Sequence, residues 1–284
     1  MSEAIFIGVD GGGTGCRAVI ATHFEILATG RGGPANASSD MASAVENVLS
    51  AIAQASVDLG DLDLTKAYTY LGLAGVLTDL QAASVAAKMP FTNVIVSDDR
   101  PTTLTGALGD NDGIVAAIGT GSFLGSKRSD VFQFVGGWGL VLSDEASAAW
   151  LGRTVLAETL LVQDGMRPMA GLAKSILARF DGEANGIVDF AAQATPADFG
   201  TLSQLVTKAA AAGDVLAVDL MHQGADYIER ALAVLKPQQN EILCLTGGLG
   251  PNYATYLSPA TSARLRPAIG SALDGALMLA RRMA

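Results

Sequence analysis

Basic residues are scarce in this chain: 18 Lys and Arg stand against 28 Asp and Glu in 284 residues, a formal net charge of −10. A surface with that excess of acid repels phosphodiester backbones and anionic lipid headgroups, so no nucleic acid or membrane partner is expected. Cysteine is nearly absent. Cys16 and Cys244 lie far apart, and neither belongs to a C-x-x-C pair, so neither a disulfide framework nor a zinc site is expected and a reducing compartment is. With only His23 and His222, a His-rich metal cluster is excluded. The stretch of about 18 apolar residues that a membrane span needs does not occur. The N-terminus, MSEAIFIGVD, carries an acid where a signal peptide needs basic residues. A cytoplasmic protein is the expectation.

Two phosphate-binding signatures are also missing. No Gly-Lys pair exists anywhere, which excludes a P-loop. A dinucleotide fingerprint needs a third glycine opening a helix. Here Gly11 and Gly13 are followed three residues later by Cys16, and residues 17–21 read as a strand.

Glycine, by contrast, is plentiful. Its 33 residues exceed the usual share of about 7%, and they fall in clusters rather than in a collagen-like period. Hydrophobic residues make up 50% and charged ones 16%, enough for a sizeable core in one large or two medium domains. The spacing predicts strands at residues 5–9, 18–21 and 26–29. A helix over 41–59 follows, with Val45, Leu49, Ile52 and Leu59 on one face and Asp40 as N-cap. Next come a strand at 67–73, a helix at 79–88 ended by Pro90, and a strand at 93–97 closed by Asp98, Asp99 and Pro101. At Gly113 the order begins again: strand, Gly turn, strand, polar turn, strand, Gly pair, about 110 residues after the first. The stretch 144–236 is expected to be mostly helical, with plain interhelical loops at 181–186 and 195–198, followed by strand at 241–246 and near 263–266 and a last helix over 270–282. The pattern is α/β with an internal duplication, divided as residues 1–112 plus 270–284 and residues 113–269.

Several turns carry candidate chemistry. In Asp10-Gly11-Gly12-Gly13-Thr14, backbone N–H groups unobstructed by Cβ atoms can cradle an anion. Asp10 can hold Mg²⁺ and Thr14 can donate to a phosphate oxygen; the alternative is a tight hairpin capped by Asp10. Gly119-Thr120-Gly121-Ser122 occupies the equivalent place in the second half. Thr246-Gly247-Gly248-Leu249-Gly250 follows an apolar strand and can form a backbone platform for a purine and ribose. Asp98 stands at the end of a strand, where a carboxylate can take a proton from a hydroxyl; helix capping is the alternative, and Asp99 is a rival for either role. Gly136-Gly137-Trp138-Gly139 followed by Asp144-Glu145 suits a sugar, with Trp138 as an apolar wall, unless Trp138 is core and the acids belong to a helix start. Asn36, in GGPANASSD, is a ligand candidate or an ordinary turn residue.

On these motifs the chain resembles the superfamily of sugar kinases, actin and heat-shock ATPases. More narrowly, it is similar to the N-acetylglucosamine kinase and bacterial glucosamine kinase branch of the BadF/BadG/BcrA/BcrD ATPase family. The resemblance rests on GVDGGGTGCRAVI (8–20), AAIGTGS (116–122), LCLTGGLG (243–250), GPAN (33–36) and GGWGLVLSDEASAAWLGR (136–153), and covers essentially the whole chain. It implies a duplicated ribonuclease H-like, actin-like ATPase fold with two lobes and a cleft, ATP and Mg²⁺ as cofactors, and transfer of phosphate to the 6-hydroxyl of an amino sugar. By resemblance, Asp98 is the base, and Asn36, Thr120, Gly137 and Asp144 hold the sugar. Asp10 and Thr14 serve magnesium and phosphates together with the two Gly turns, and Gly247 and Gly248 serve the adenosine. The partners implied are a sugar and a nucleotide, with a homodimer by analogy alone. The chain departs from the family's G-D-E-G-S-G, with Ser143, Ala146 and Ala148 in place of the three glycines.

Two rival classes share the fold. Activators of 2-hydroxyacyl-CoA dehydratases need cysteines that bridge an iron–sulfur cluster, and Cys16 and Cys244 are expected inside strands instead. Sugar-responsive repressors carry an N-terminal DNA-binding extension, and here the first strand is expected by residue 5.

Overall fold

The computed structural model describes residues 3–60 and 62–284. The chain forms two compact units, Met1–Asn111 with Ala268–Ala284, and Asp112–Pro267.

In the first unit, β1 (Phe6–Gly12), β2 (Gly15–Ala21), β3 (Ile26–Gly32), β4 (Tyr68–Leu73) and β5 (Asn93–Ser97) make one sheet in the order β3-β2-β1-β4-β5. The first three strands run as an antiparallel meander, and β1, β4 and β5 are parallel. Central β1 is apolar on both faces because both are covered. One cover is α1 (Met41–Ser56), capped by Asp40, whose carboxylate accepts from the N–H groups of Ala42 and Ser43. It buries Ala44, Val45, Val48, Ala51, Ile52 and Ala55; each buried Val or Ile contributes roughly 1.5–3 kcal/mol. It ends three residues before the expected Leu59. Helix α2 (Asp79–Ala86) starts with a capping box between Thr78 and Gln81.

Helix α3 (Arg100–Leu108) leaves the end of β5 with Pro101 in its first turn. The last helix, α11 (Ala272–Arg281), packs against it so closely that side chains are excluded: a Cβ on Gly106 would lie 1.8 Å from the Ser271 carbonyl oxygen, and one on Gly275 2.0 Å from that of Thr102. This contact fixes the helix that begins at Asp98 and Asp99.

The second unit repeats the plan. Strands β6 (Gly113–Ile118), β7 (Ser122–Arg128), β8 (Val131–Gly136) and β9 (Ile242–Thr246) have the order β8-β7-β6-β9, again a meander followed by a parallel neighbour. The strand expected near residues 263–266 reduces to a single parallel bridge, Leu243 to Leu265. The duplicated ribonuclease H-like arrangement is therefore present in both sheets.

The mostly helical stretch expected over 144–236 is six helices: α4 (Ala148–Gln163), α5 (Gly171–Arg179), α6 (Ala184–Gln193), α7 (Pro196–Gly200), α8 (Ser203–Ala211) and α9 (Val215–Leu235). Of the two loops expected within it, 181–186 is shorter because α6 starts at Ala184, and 195–198 largely forms α7. Gly165, Gly182 and Gly213 take left-handed backbone at three of the breaks, and Pro196 sits just inside the start of α7. A 3₁₀ turn (Gly250–Tyr253) and α10 (Pro259–Ser262) follow β9. Among the described residues, no helix is long and apolar enough to cross a membrane.

Candidate active site

In the first unit the sequence-predicted residues gather at the ends of β1, β4 and β5. The hairpin between β1 and β2 pairs Gly12 with Gly15, so its tip is Gly13-Thr14 and Gly11 and Gly12 belong to the strand. The turn expected at 11–13 thus lies farther along. None of these three glycines has positive φ. Gly11 is required by packing, since a Cβ there would meet Leu73 at 2.5 Å and Ala35 at 3.0 Å. Gly12 and Gly13 are not: a Cβ would find only the Gly15 carbonyl oxygen, 3.7 Å from Gly12, and nothing within 4 Å of Gly13. Backbone left bare without an internal reason is what close approach of a ligand requires.

Asp10 faces Arg17 across the hairpin, and Nη2 of Arg17 lies 2.6 Å from Oδ2 of Asp10. The Gly12 and Gly11 carbonyls accept from the N–H groups of Ala35 and Ala74, which brings the residue 33–36 loop to the same end of the sheet. Asn36 does behave as a turn residue: its Oδ1 accepts from Ser38 N, Ser38 Oγ and Ser39 N at 3.0, 2.8 and 3.2 Å. Its Nδ2 has no partner among the described residues, so an amide donor remains for a ligand.

Asp98 and Asp99 sit in different surroundings. The Asp98 carboxylate accepts from Arg100 three times, from the backbone N, Nε and Nη2 at 2.8, 3.0 and 2.8 Å. It is one-fifth exposed. Asp99 is the N-cap of α3 by position, but its side chain caps nothing. Its carbonyl instead accepts from the hydroxyls of Thr102 and Thr103. Burial, joined by the negative charges of Asp98 and Asp10, pushes the Asp99 carboxyl up to about 6. Three carboxylates therefore influence one another here. Among the described residues, however, no three His, Cys, Asp or Glu side chains gather as metal ligands.

In the second unit, three sequence motifs converge. The Ser122 hydroxyl donates to the Glu145 carbonyl at 2.6 Å, and Ala148 and Ala149 N–H groups donate to the carbonyls of Gly119 and Thr120. The residue 119–122 turn is thus stitched to the segment that carries Asp144. Gly121 allows the approach, since a Cβ there would lie 2.9 Å from Oδ2 of Asp144. Asp144 is nearly buried and accepts from Gly139 N at 3.1 Å. Burial raises its carboxyl above the usual range, with the Gly139 bond acting the other way. Thr120 is exposed and Ser122 buried.

The third motif touches the same turn. Gly247 has φ +78°, and a Cβ on it would sit 2.3 Å from the Ile118 carbonyl oxygen. Gly248 and Gly119 resemble Gly12 and Gly13: an added Cβ meets nothing within 4 Å at Gly248, and only the Gly121 carbonyl oxygen at 4.0 Å from Gly119. The loop over 137–143 stands out from the unit. Gly137 and Gly139 take φ of +78° and +88°, and Trp138 is 75% exposed rather than part of the core.

Sequence reasoning missed Arg17, Arg100, Tyr227 and Tyr253. The first two had a signal: Arg17 is the cross-strand partner of Asp10 once the turn is placed at 13–14, and Arg100 lies two residues beyond Asp98. The tyrosines come from distant segments. Tyr227 reaches the Ser143 hydroxyl and Tyr253 the Ala146 carbonyl.

The profile of the BadF/BadG/BcrA/BcrD ATPase family matches residues 7–273. The chain belongs to that family. Its relatives include a glucosamine kinase of Vibrio cholerae, 31% identical over 97% of this chain and 95% of that protein. An N-acetyl-D-glucosamine kinase of Dictyostelium discoideum is 29% identical over 63% of this chain and 61% of its own length. Among solved structures, a Chromobacterium violaceum protein provisionally named an N-acetylglucosamine kinase superposes with a TM-score of 0.90 at 33% identity, covering 99% of this chain and all of that one.

Proposed function

We propose that this chain is a cytoplasmic, ATP-dependent amino-sugar kinase that transfers the γ-phosphoryl group to the 6-hydroxyl of glucosamine or N-acetylglucosamine. The observation that carries the reading is the set of glycines, Gly12, Gly13, Gly119 and Gly248, whose missing side chains nothing in the fold accounts for. They stand at the ends of β1, β6 and β9, where backbone N–H groups can serve a polyphosphate and a nucleoside. The names of the relatives support the acceptor class.

In this reading Gly11, Gly12, Gly13 and Thr14, with Gly119, Thr120, Gly121 and Ser122, serve the triphosphate, and Gly247 and Gly248 the adenosine. Asn36, Thr120, Gly137 and Asp144 bind sugar hydroxyls, and Trp138 covers an apolar sugar face. Asp98 takes the proton of the 6-hydroxyl as that oxygen bonds to the γ-phosphorus and the bond to the β-phosphate oxygen breaks, releasing ADP. Because phosphoryl transfer has a loose transition state, positioning and charge neutralisation supply most of the rate. Asp10, at the end of β1, is the carboxylate that would hold a magnesium ion, a hard cation that takes oxygen ligands. When bound, the ion would neutralise charge on the phosphates.

Neither rival class is favoured by any observation: Cys16 and Cys244 are both buried, where neither can bridge a cluster to a second chain. The partners in this account are the sugar and the nucleotide, with a homodimer by family analogy. The test is coupled ADP release with glucosamine, N-acetylglucosamine, N-acetylmuramic acid and glucose. Glucosamine or N-acetylglucosamine should stimulate release well above N-acetylmuramic acid and glucose; no stimulation by glucosamine or N-acetylglucosamine would overturn the proposal.

A further inference from the structure

The segment bearing Asp144 holds an unusual backbone. Asp144 has φ +63° and Ala146 has φ +67°, and Ala146 is fully buried. A residue with a Cβ adopts that region only where its surroundings impose it. Glycine adopts this region freely; an alanine must be held in it by its surroundings.

The segment is tied to the residue 119–122 turn by the Ser122 hydroxyl on the Glu145 carbonyl, and a contact from Tyr253 falls on Ala146 itself. The Tyr253 hydroxyl donates to the Ala146 carbonyl at 2.8 Å, and both residues are 0% exposed. The ring has no freedom to leave: it lies against α9 at Gly224, where a Cβ would be 2.4 Å from the hydroxyl oxygen. Burial raises the phenol, so it stays an O–H donor. Upstream, the loop is anchored at Leu140, whose carbonyl accepts from Arg153 Nη1 at 2.8 Å, and by the Gly139 N–H on Asp144 Oδ1, but its other apolar residues are exposed. Trp138, Val141 and Leu142 are 75%, 89% and 83% exposed, and the local backbone bonds run from the N–H groups of Leu142 and Ser143 to the Gly139 carbonyl. Tyr253 also closes the 3₁₀ turn that starts three residues after Gly247. One hydrogen bond therefore joins the turn assigned to adenosine to the loop assigned to the sugar.

We infer that Tyr253 is a positioning residue: by donating to the Ala146 carbonyl, it keeps Asp144 and Ala146 in the left-handed conformations that present Asp144 to the sugar. The inference rests on the reading of Asp144 as a sugar ligand. It accounts for a buried alanine held in left-handed backbone at position 146.

Tyr253→Phe deletes only the hydroxyl. Without any ligand, the backbone amides over 137–147 should exchange hydrogen about tenfold faster or more, the effect of one lost buried hydrogen bond. The sugar KM should rise about tenfold while the ATP KM stays within about twofold. Adding Ala146→Gly to Tyr253→Phe should restore most of the sugar KM, because glycine needs no clamp. Val206→Ala, a core truncation in the same unit, serves as the stability control. Unchanged exchange in Tyr253→Phe overturns the inference, as does failure of the glycine rescue or an equal rise in sugar KM with Val206→Ala. If the wild-type protein phosphorylates no sugar, the kinase reading fails, while the exchange experiment still decides whether Tyr253 holds the loop.

Discussion

Asp98 and Arg100 meet as a fork on a fork, Nε to Oδ1 at 3.0 Å and Nη2 to Oδ2 at 2.8 Å, while the Arg100 backbone N–H donates to the same Oδ1. The carboxylate at the end of β5 is thereby held in one orientation by the first residue of α3. A group that must meet a substrate hydroxyl at hydrogen-bonding distance gains from such fixing.

Asp98→Asn keeps the shape and removes the base. Turnover should fall by about 10²–10⁴-fold, the usual contribution of a positioned base, with little change in sugar affinity by calorimetry. Near-normal turnover would withdraw the role from Asp98 and pass it to Asp99.

Arg100→Lys keeps the charge but not the fork, because an ammonium cannot match both carboxylate oxygens. Turnover should drop by about tenfold with the melting temperature nearly unchanged. An unaffected kcat would show that the orientation of Asp98 does not depend on Arg100.

Asp99 makes stability depend on pH. Its carboxyl is raised from 3.8 to about 6 in the folded state, so between those values the folded chain holds a proton that the unfolded chain has lost. Stability therefore falls as pH rises through that window, and the penalty is complete above it. Asp99→Asn should stabilise the protein at about pH 8 by on the order of 1–3 kcal/mol, and give no gain below about pH 4. Denaturant titrations at the two pH values would measure it. An equal effect at both would refute the burial of a charge as the cause.

Gly247 and Gly248 are neighbours with different duties. Gly247→Ala forces a left-handed alanine against the Ile118 carbonyl and should destabilise by roughly 1–3 kcal/mol. Gly248→Ala meets open space, so its melting temperature should match wild type while its ATP KM rises several-fold. A Gly248→Ala protein with normal ATP KM would remove this turn from the nucleotide site.

Much of the scaffold was legible in the sequence, since apolar runs ending in glycine clusters mark strands entering turns. Asp40 as a cap and β5 running into Asp98 follow from local chemistry alone. The glycine clusters were legible as groups but not residue by residue. Gly11 and Gly247 serve packing and backbone conformation, whereas Gly12, Gly13 and Gly248 do not, and only the positions of Leu73, Ala35 and Ile118 separate them. The Arg17–Asp10 pair needed the hairpin register, which moves the turn to Gly13 and Thr14. Tyr253 lies 107 residues from Ala146, beyond any local pattern. Within the mostly helical stretch, the breaks at Gly165 and Gly213 were not legible, because glycine in left-handed backbone interrupts a helix where apolar spacing alone still reads as one.

Phosphorus–proton correlation of the product formed from ATP and glucosamine or N-acetylglucosamine tests the central claim most directly. The account predicts a sugar monophosphate whose phosphorus couples to the two protons on carbon 6. Coupling to the anomeric proton, or inorganic phosphate as the sole new phosphorus species beside ADP, would contradict it.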